Sequence, residues 1–140
     1  MPLELSYIIQ PYFLEVEIQG GRTTGREFEE MATIWGQVFQ ISKKESRYNI
    51  LAHVRVKERL PVNTQINISF KVKEIGCTHS HRIAVFVNNK EVLKSAELIE
   101  RYMHEEGYSV QLFNNKDRAR RWLLREKKRS RILDLLDSFD

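Results

Sequence analysis

The side chains in this chain with chemical potential fall into four groups. Cys77, His79 and His81 alternate through a short polar stretch, a spacing that offers two or three ligands to one ion. A structural zinc wants four ligands, and no second cysteine or nearby His/Asp cluster completes the set, so no metal is expected. A packing or hydrogen-bonding role at a strand entrance suffices for His81. Gly20-Gly21-Arg22-Thr23-Thr24-Gly25 stands between a strand and a helix, where free backbone N–H groups hold anions. A strand end followed by a capped helix explains the same residues. His53, His104 and Glu58 are titratable but isolated in sequence. The fourth group is a basic run, 116–131, with nine Lys or Arg against two acidic residues. It carries +7 in a chain of net charge +4, which leaves −3 for everything else.

Within that run, Arg118, Arg121, Arg125, Lys128 and Arg129 are the candidate anion-binding residues. The run has a single aromatic, Trp122, and no recognisable nucleic-acid module, so it reads first as a solvated helix face. The chain also shows no nucleophile elbow, phosphate loop or dinucleotide glycine fingerprint. Catalytic residues are expected to be none, and cofactors none.

The elements that must position these groups follow from hydrophobic periodicity. Leu5–Gln10 and Phe13–Gln19 form a hairpin around Pro11-Tyr12, and the second arm alternates Leu14, Val16 and Ile18 with Glu15, Glu17 and Gln19. Thr24 and Glu27 have the spacing of a capping box. The helix behind them carries Phe28, Met31, Ala32, Trp35, Val38 and Phe39 on one stripe. Asn49–Lys57 alternates again, and Leu60-Pro61 breaks it. Residues 62–76 are ambiguous: Ile66, Ile68, Phe70 and Val72 alternate like a strand, and the composition is poor for a helix. The flanking order decides for a helix, because parallel neighbours on either side need a crossover of this length.

Ile83-Ala84-Val85-Phe86-Val87 is a buried-type strand. A helix capped by Asn89 and stopped by Gly107 follows, then Ser109–Phe113, then a helix that Asn115 opens. The whole predicts an α/β fold: an N-terminal β-hairpin followed by consecutive βα units, with a mixed, mostly parallel sheet of about five strands and four helices. Residues 1–125 read as one domain and 126–140 as a basic, then amphipathic, tail.

Length and composition set the remaining bounds. At 140 residues with 41% apolar and 30% charged side chains, the chain is ordinary for one globular domain with its own core. Its longest uninterrupted apolar run is five residues, too short to span a bilayer. The start has neither a basic nor an apolar character, so no secretory signal is expected. The single Cys77 excludes an internal disulfide framework, which fits a cytoplasmic location.

The ordered pieces resemble a known family. Gly20 with Thr23 and Thr24 before the first helix, Leu60-Pro61 opening the second, and His81-Arg82-Ile83-Ala84-Val85 carry the likeness. So do Val110-Gln111-Leu112-Phe113-Asn114 and Ala119-Arg120-Arg121-Trp122-Leu123. Together, over roughly 5–124, they resemble the STAS (anti-sigma-factor-antagonist-like, SpoIIAA-like) superfamily, and more closely its bacterial STAS/SEC14-like branch. Well-known members carry an Asp-Ser pair before the second helix, and its serine is phosphorylated. Val56–Val62 here has neither residue, and Thr64 is the nearest hydroxyl, so that switch is not expected.

The resemblance implies strands wound in near-sequential order with helices on one face. Leu51, His53, Arg55, Phe86 and Phe113 would then lie on an uncovered face. With Ile132, Leu133, Leu136 and Phe139 of the tail they are the candidate interface. The expected function is that of a non-enzymatic regulatory or scaffold domain acting by protein–protein association, as a homodimer, with an unknown protein partner. The first alternative, from the resemblance, is a small-molecule or lipid-binding domain of SEC14-like type. It needs a sizeable apolar cavity, against which the large Phe28, Trp35, Phe39 and Trp122 argue for a filled core. The second is nucleic-acid binding through the basic segment.

Overall fold

A computed structural model describes residues 3–124. It is an α/β fold with an N-terminal hairpin: β1 (Glu4–Ile9), β2 (Leu14–Gly20), α1 (Glu27–Lys44), β3 (Asn49–Val56), α2 (Val62–Ile75), β4 (Arg82–Val87), α3 (Lys90–Glu105) and β5 (Ser109–Phe113). A last helix, α4, begins at 116 and runs to 124. The five strands are ordered β1-β2-β3-β4-β5. β1 is antiparallel to β2, and the remaining pairs are parallel.

Sequential order determines where the helices go. Crossovers of one hand that always advance the same way must lay their helices on the same face. The main core accordingly joins Leu14, Val16, Ile50, Ala52, Ile83, Val85 and Val110 from the sheet to Val38 and Phe39 of α1, Val72 of α2, and Val92 and Met103 of α3. Every second strand residue supplies this face, as the alternation requires.

The ambiguous segment is helical. Its buried stripe is Thr64, Gln65, Ile68, Ser69 and Val72, while Val62, Ile66 and Phe70 are exposed. Poor helix propensity is offset by burial and by side-chain bonds: Gln65 Nε2 donates to the Leu60 carbonyl (2.7 Å), and Ser69 Oγ to the Gln65 carbonyl (2.9 Å). Gly76 ends the helix with φ 125°, and a Cβ there would stand 3.3 Å from Phe39 Cβ. The Asn89 and Asn115 caps form as expected, with Asn89 Oδ1 accepting from Glu91 and Val92 N–H, and Asn115 Oδ1 from Arg118 N–H.

Three expectations need correction. The start of α1 is not a Thr24/Glu27 capping box: Arg26 is the N-cap, without a side-chain bond. Glu30 reaches back instead, accepting from the Thr23 backbone N–H (2.7 Å) and from Thr23 Oγ1 (3.0 Å). The fully buried residues of α1 are Ile34, Val38, Phe39 and Ser42, with Phe28, Met31, Ala32 and Trp35 half-buried. The stripe is rotated toward Ile34, which shares a groove with Leu3, Leu5 and Tyr7 at the β1 side.

The third correction concerns the second sheet face, which is not bare. α4 lies across it: Ala119 and Leu123 are fully buried, and with Phe13 they close over Leu51, Ala84 and Phe86. Leu51 is 2% and Phe86 9% exposed, so these two candidate interface residues belong to a second, smaller core, and Phe113 is half-buried against it. The reason is the spacing Ala119, Trp122, Leu123, which gives the short helix an apolar side of its own. The sheet remains unequally clothed, with three helices on one side and one on the other.

Candidate functional site

Between the sheet and the α1–α3 layer lies a cavity of about 120 Å³. Ile18, Val54, Val56, Val85 and Val87 floor it, Trp35, Ile68 and Val72 wall it, and Ala96, Ile99 and Met103 roof it. Residue size explains the space. The carboxyl halves of the central strands present valines, and α3 faces them with Ser95 and Ala96, so the layers do not interdigitate fully there. The expected filled core is therefore incomplete. Trp122 lies in the other core, and the remaining large rings leave this end open.

Few polar groups line the cavity, and most are already committed. Ser95 Oγ donates to the Val92 carbonyl (2.7 Å) and accepts from Leu60 N–H (3.0 Å). Glu100 Oε2 accepts from Leu112 N–H (2.7 Å). Cys77 is buried, and desolvation pushes its thiol up to about 12, so it is no nucleophile at neutral pH. Arg22 differs. Its Nε donates to the Glu58 carbonyl (2.9 Å), but its Nη1 is buried with no hydrogen-bond partner. Burial lowers the Arg22 pKa, and Glu58, Glu30 and Glu27 oppose that shift through space. The guanidinium stays charged.

The glycine-rich loop ahead of α1 is not an open anion cradle. The Thr23 N–H bonds Glu30 and the Gly25 N–H bonds Glu27 Oε1 (2.8 Å), so carboxylates of the following helix occupy these donors. The loop's service is to carry Arg22 to the carboxyl end of the strands, the end at which open α/β sheets take ligands. Sequence reasoning missed Arg22 as an individual. Its position directly after a strand-ending Gly-Gly was the available signal.

The Cys77, His79 and His81 trio does not converge. The His79 ring stacks on Tyr108 (4.3 Å between centroids), and its Nε2–H donates to the Glu106 carbonyl (3.0 Å). His81 is buried between Phe39 and Tyr48, with Nδ1 accepting from Thr78 N–H (3.0 Å), and burial lowers its pKa. No group of three or more His, Cys, Asp or Glu suited to a metal occurs among the described residues. His104 bonds the Val110 carbonyl through Nε2.

What α4 covers least on the second sheet face is the His53 and Arg55 end of β3 and the outward side of β2 and β1. His53 stacks on Phe86 (4.5 Å, 30°) with Nδ1 4.0 Å from Glu17 Oε2, and burial lowers its pKa against the pull of Glu17. Arg55 is exposed and pairs with Glu17 (3.2 Å), and Lys116 pairs with Glu15 (3.4 Å). The structure thus brings Leu51, His53 and Phe86 together, leaves Arg55 at their rim, and packs Phe113 beside Phe86 and against Trp122. The edge strand β1 exposes Tyr7, Ile8 and Ile9.

Of the candidate anion-binding residues, Arg118 and Arg121 are exposed on α4. Arg125, Lys128 and Arg129 lie outside the described residues, as do Ile132, Leu133, Leu136 and Phe139. No helix among the described residues is long and apolar enough to cross a membrane. No family model matches the chain, and neither a curated protein nor a solved structure is found to be similar to it.

Proposed function

We propose that this protein is a non-enzymatic binding domain whose interior cavity holds a small apolar molecule between sheet and helix layer. The observation that carries this reading is the cavity itself: about 120 Å³, lined almost wholly by aliphatic and aromatic side chains. Engineered apolar cavities of ~150 Å³ stay dry and take up benzene or xenon. Each histidine is held by ring stacking or by a hydrogen bond, and the cysteine is a buried thiol, which favours binding over turnover. Native mass spectrometry of the protein purified from its host tests the reading. A co-purifying small molecule supports it, provided that Ala96→Leu, which fills the cavity, releases the molecule. A clean apoprotein that also takes up no added benzene would refute it.

A second reading, association with another copy, rests on the β1 edge. An unpaired edge strand with exposed Tyr7, Ile8 and Ile9 offers a row of backbone donors and acceptors to another strand. Antiparallel self-pairing centred on Tyr7 sets Leu5 opposite Ile9 and Ser6 opposite Ile8, with no like charges opposed. Sedimentation of the wild type and of Ile8→Lys tests it: a dimer converted to monomer supports pairing, and a wild-type monomer at high concentration rules it out.

A further inference from the structure

The cavity has one chemical asymmetry. Its lining is apolar except at the end where the strands stop, and there Arg22 enters from the loop after β2. Ser95 and Glu100 are committed to backbone groups. Among the described residues that line the cavity, Arg22 Nη1 is the one side-chain nitrogen or oxygen that is both buried and without a partner. A buried guanidinium nitrogen left unbonded is costly.

Nor does Arg22 have a close counter-ion. No carboxylate of a described residue lies within ion-pair distance of it. Glu58 meets its Nε through the backbone carbonyl, and Glu30 and Glu27 are turned to the Thr23 and Gly25 N–H groups. Those three carboxylates act on Arg22 only through space. An apolar chamber lined at one end by the residue that carries an unsatisfied cationic donor is complementary to an amphiphile: an apolar body to fill the chamber and an anionic oxygen to meet the guanidinium once its Nη1 turns inward. Charge-assisted bonds between guanidinium and carboxylate are the strong form of this contact.

Resting on the cavity reading above, we propose that the ligand is a small monocarboxylate, with its apolar body among Val54, Val85, Ala96 and Met103 and its carboxylate on Arg22 Nη1. The volume limits the body to about five or six carbons, or a single aromatic ring. A long acyl chain exceeds it.

Isothermal titration of the full chain with hexanoate and with hexanamide tests this, because the two share an alkyl chain and differ in charge. Hexanoate is expected to bind at least about tenfold more tightly than hexanamide, the margin of one charge-assisted bond. Arg22→Gln is expected to bring hexanoate to within about twofold of hexanamide while leaving hexanamide unchanged. Equal affinities on the wild type overturn the carboxylate assignment and leave the cavity reading standing. An undiminished preference in Arg22→Gln overturns the role of Arg22. Failure of both probes, with benzene also excluded, brings down both readings. The wild-type comparison decides the ligand class even if Arg22→Gln does not fold.

Discussion

The guanidinium of Arg82 lies 4.1 Å from the centroid of the Trp122 ring. This contact joins the first residue of β4 to the last helix, beside the seam where Ala119 and Leu123 cover Leu51, Ala84 and Phe86. It marks α4 as a closing element of the domain and explains why a sheet with sequential strand order still has two cores.

Closure by α4 has an energetic consequence. Leu123→Ala is expected to destabilise the protein by about 2–5 kcal/mol, the range for removing a fully buried leucine. Phe86→Asp, which would be harmless on a free surface, is expected to prevent folding, because it places a carboxylate in an apolar core. Urea denaturation followed by circular dichroism reads both. A folded Phe86→Asp protein would show that this face is open.

The two sides of α2 are expected to respond differently. Ile68→Ala, on the buried side, should cost about 2–4 kcal/mol, whereas Phe70→Ala should cost under about 1 kcal/mol. Phe70 is 69% exposed and touches only the Tyr102 ring among aromatic neighbours. Equal costs would mean that the segment is packed on both sides.

Stability should fall in mild acid. Burial lowers the pKa of both His81 and His53, so below the ordinary histidine value of ~6.5 the unfolded chain takes up protons that the folded one refuses. Full stability is therefore present above about pH 6.5 and is lost as pH falls through the lowered values. The thermal midpoint should drop between pH 7.5 and pH 5.5. His81→Phe keeps a ring between Phe39 and Tyr48 but removes that group's titration, and should flatten the profile. An unchanged slope in this variant contradicts the assignment.

Filling the cavity should stabilise the protein. Ala96→Leu adds apolar surface where space exists and retains good helix propensity, so a gain of roughly 1 kcal/mol in urea denaturation is expected. A loss of that size would show that α3 already sits tightly on the sheet.

Much of the fold was legible in the sequence because its signals are local. The alternation in Leu14–Gln19, the caps at Asn89 and Asn115, and the stop at Gly107 each define an element from within a few residues. Residues 62–75 needed the order of their neighbours, since the outward Ile66 and Phe70 imitate a strand pattern that only packing dissolves. The second core was hidden because Leu51 and Phe86 share their sheet face with His53 and Arg55, a mixed set that reads as a half-exposed face; the nine-residue helix that covers Leu51 and Phe86 lies sixty residues and more from Leu51.

The cavity was illegible for a related reason. Space left between Val54, Val85 and Ala96 depends on how three helices settle on the sheet, and no short pattern encodes that. Arg22 was visible only as part of a loop suited to anions through its backbone. In the fold its side chain matters, because the backbone donors are consumed by Glu27 and Glu30.

The cavity itself is tested most directly by titrating the isotopically labelled protein with benzene and following backbone amides by NMR. Saturable shifts confined to the neighbourhood of Val54, Val85, Ala96 and Met103, and abolished in Ala96→Leu, are expected. Absent shifts, or shifts scattered over the surface and unchanged in that variant, would contradict an interior binding site.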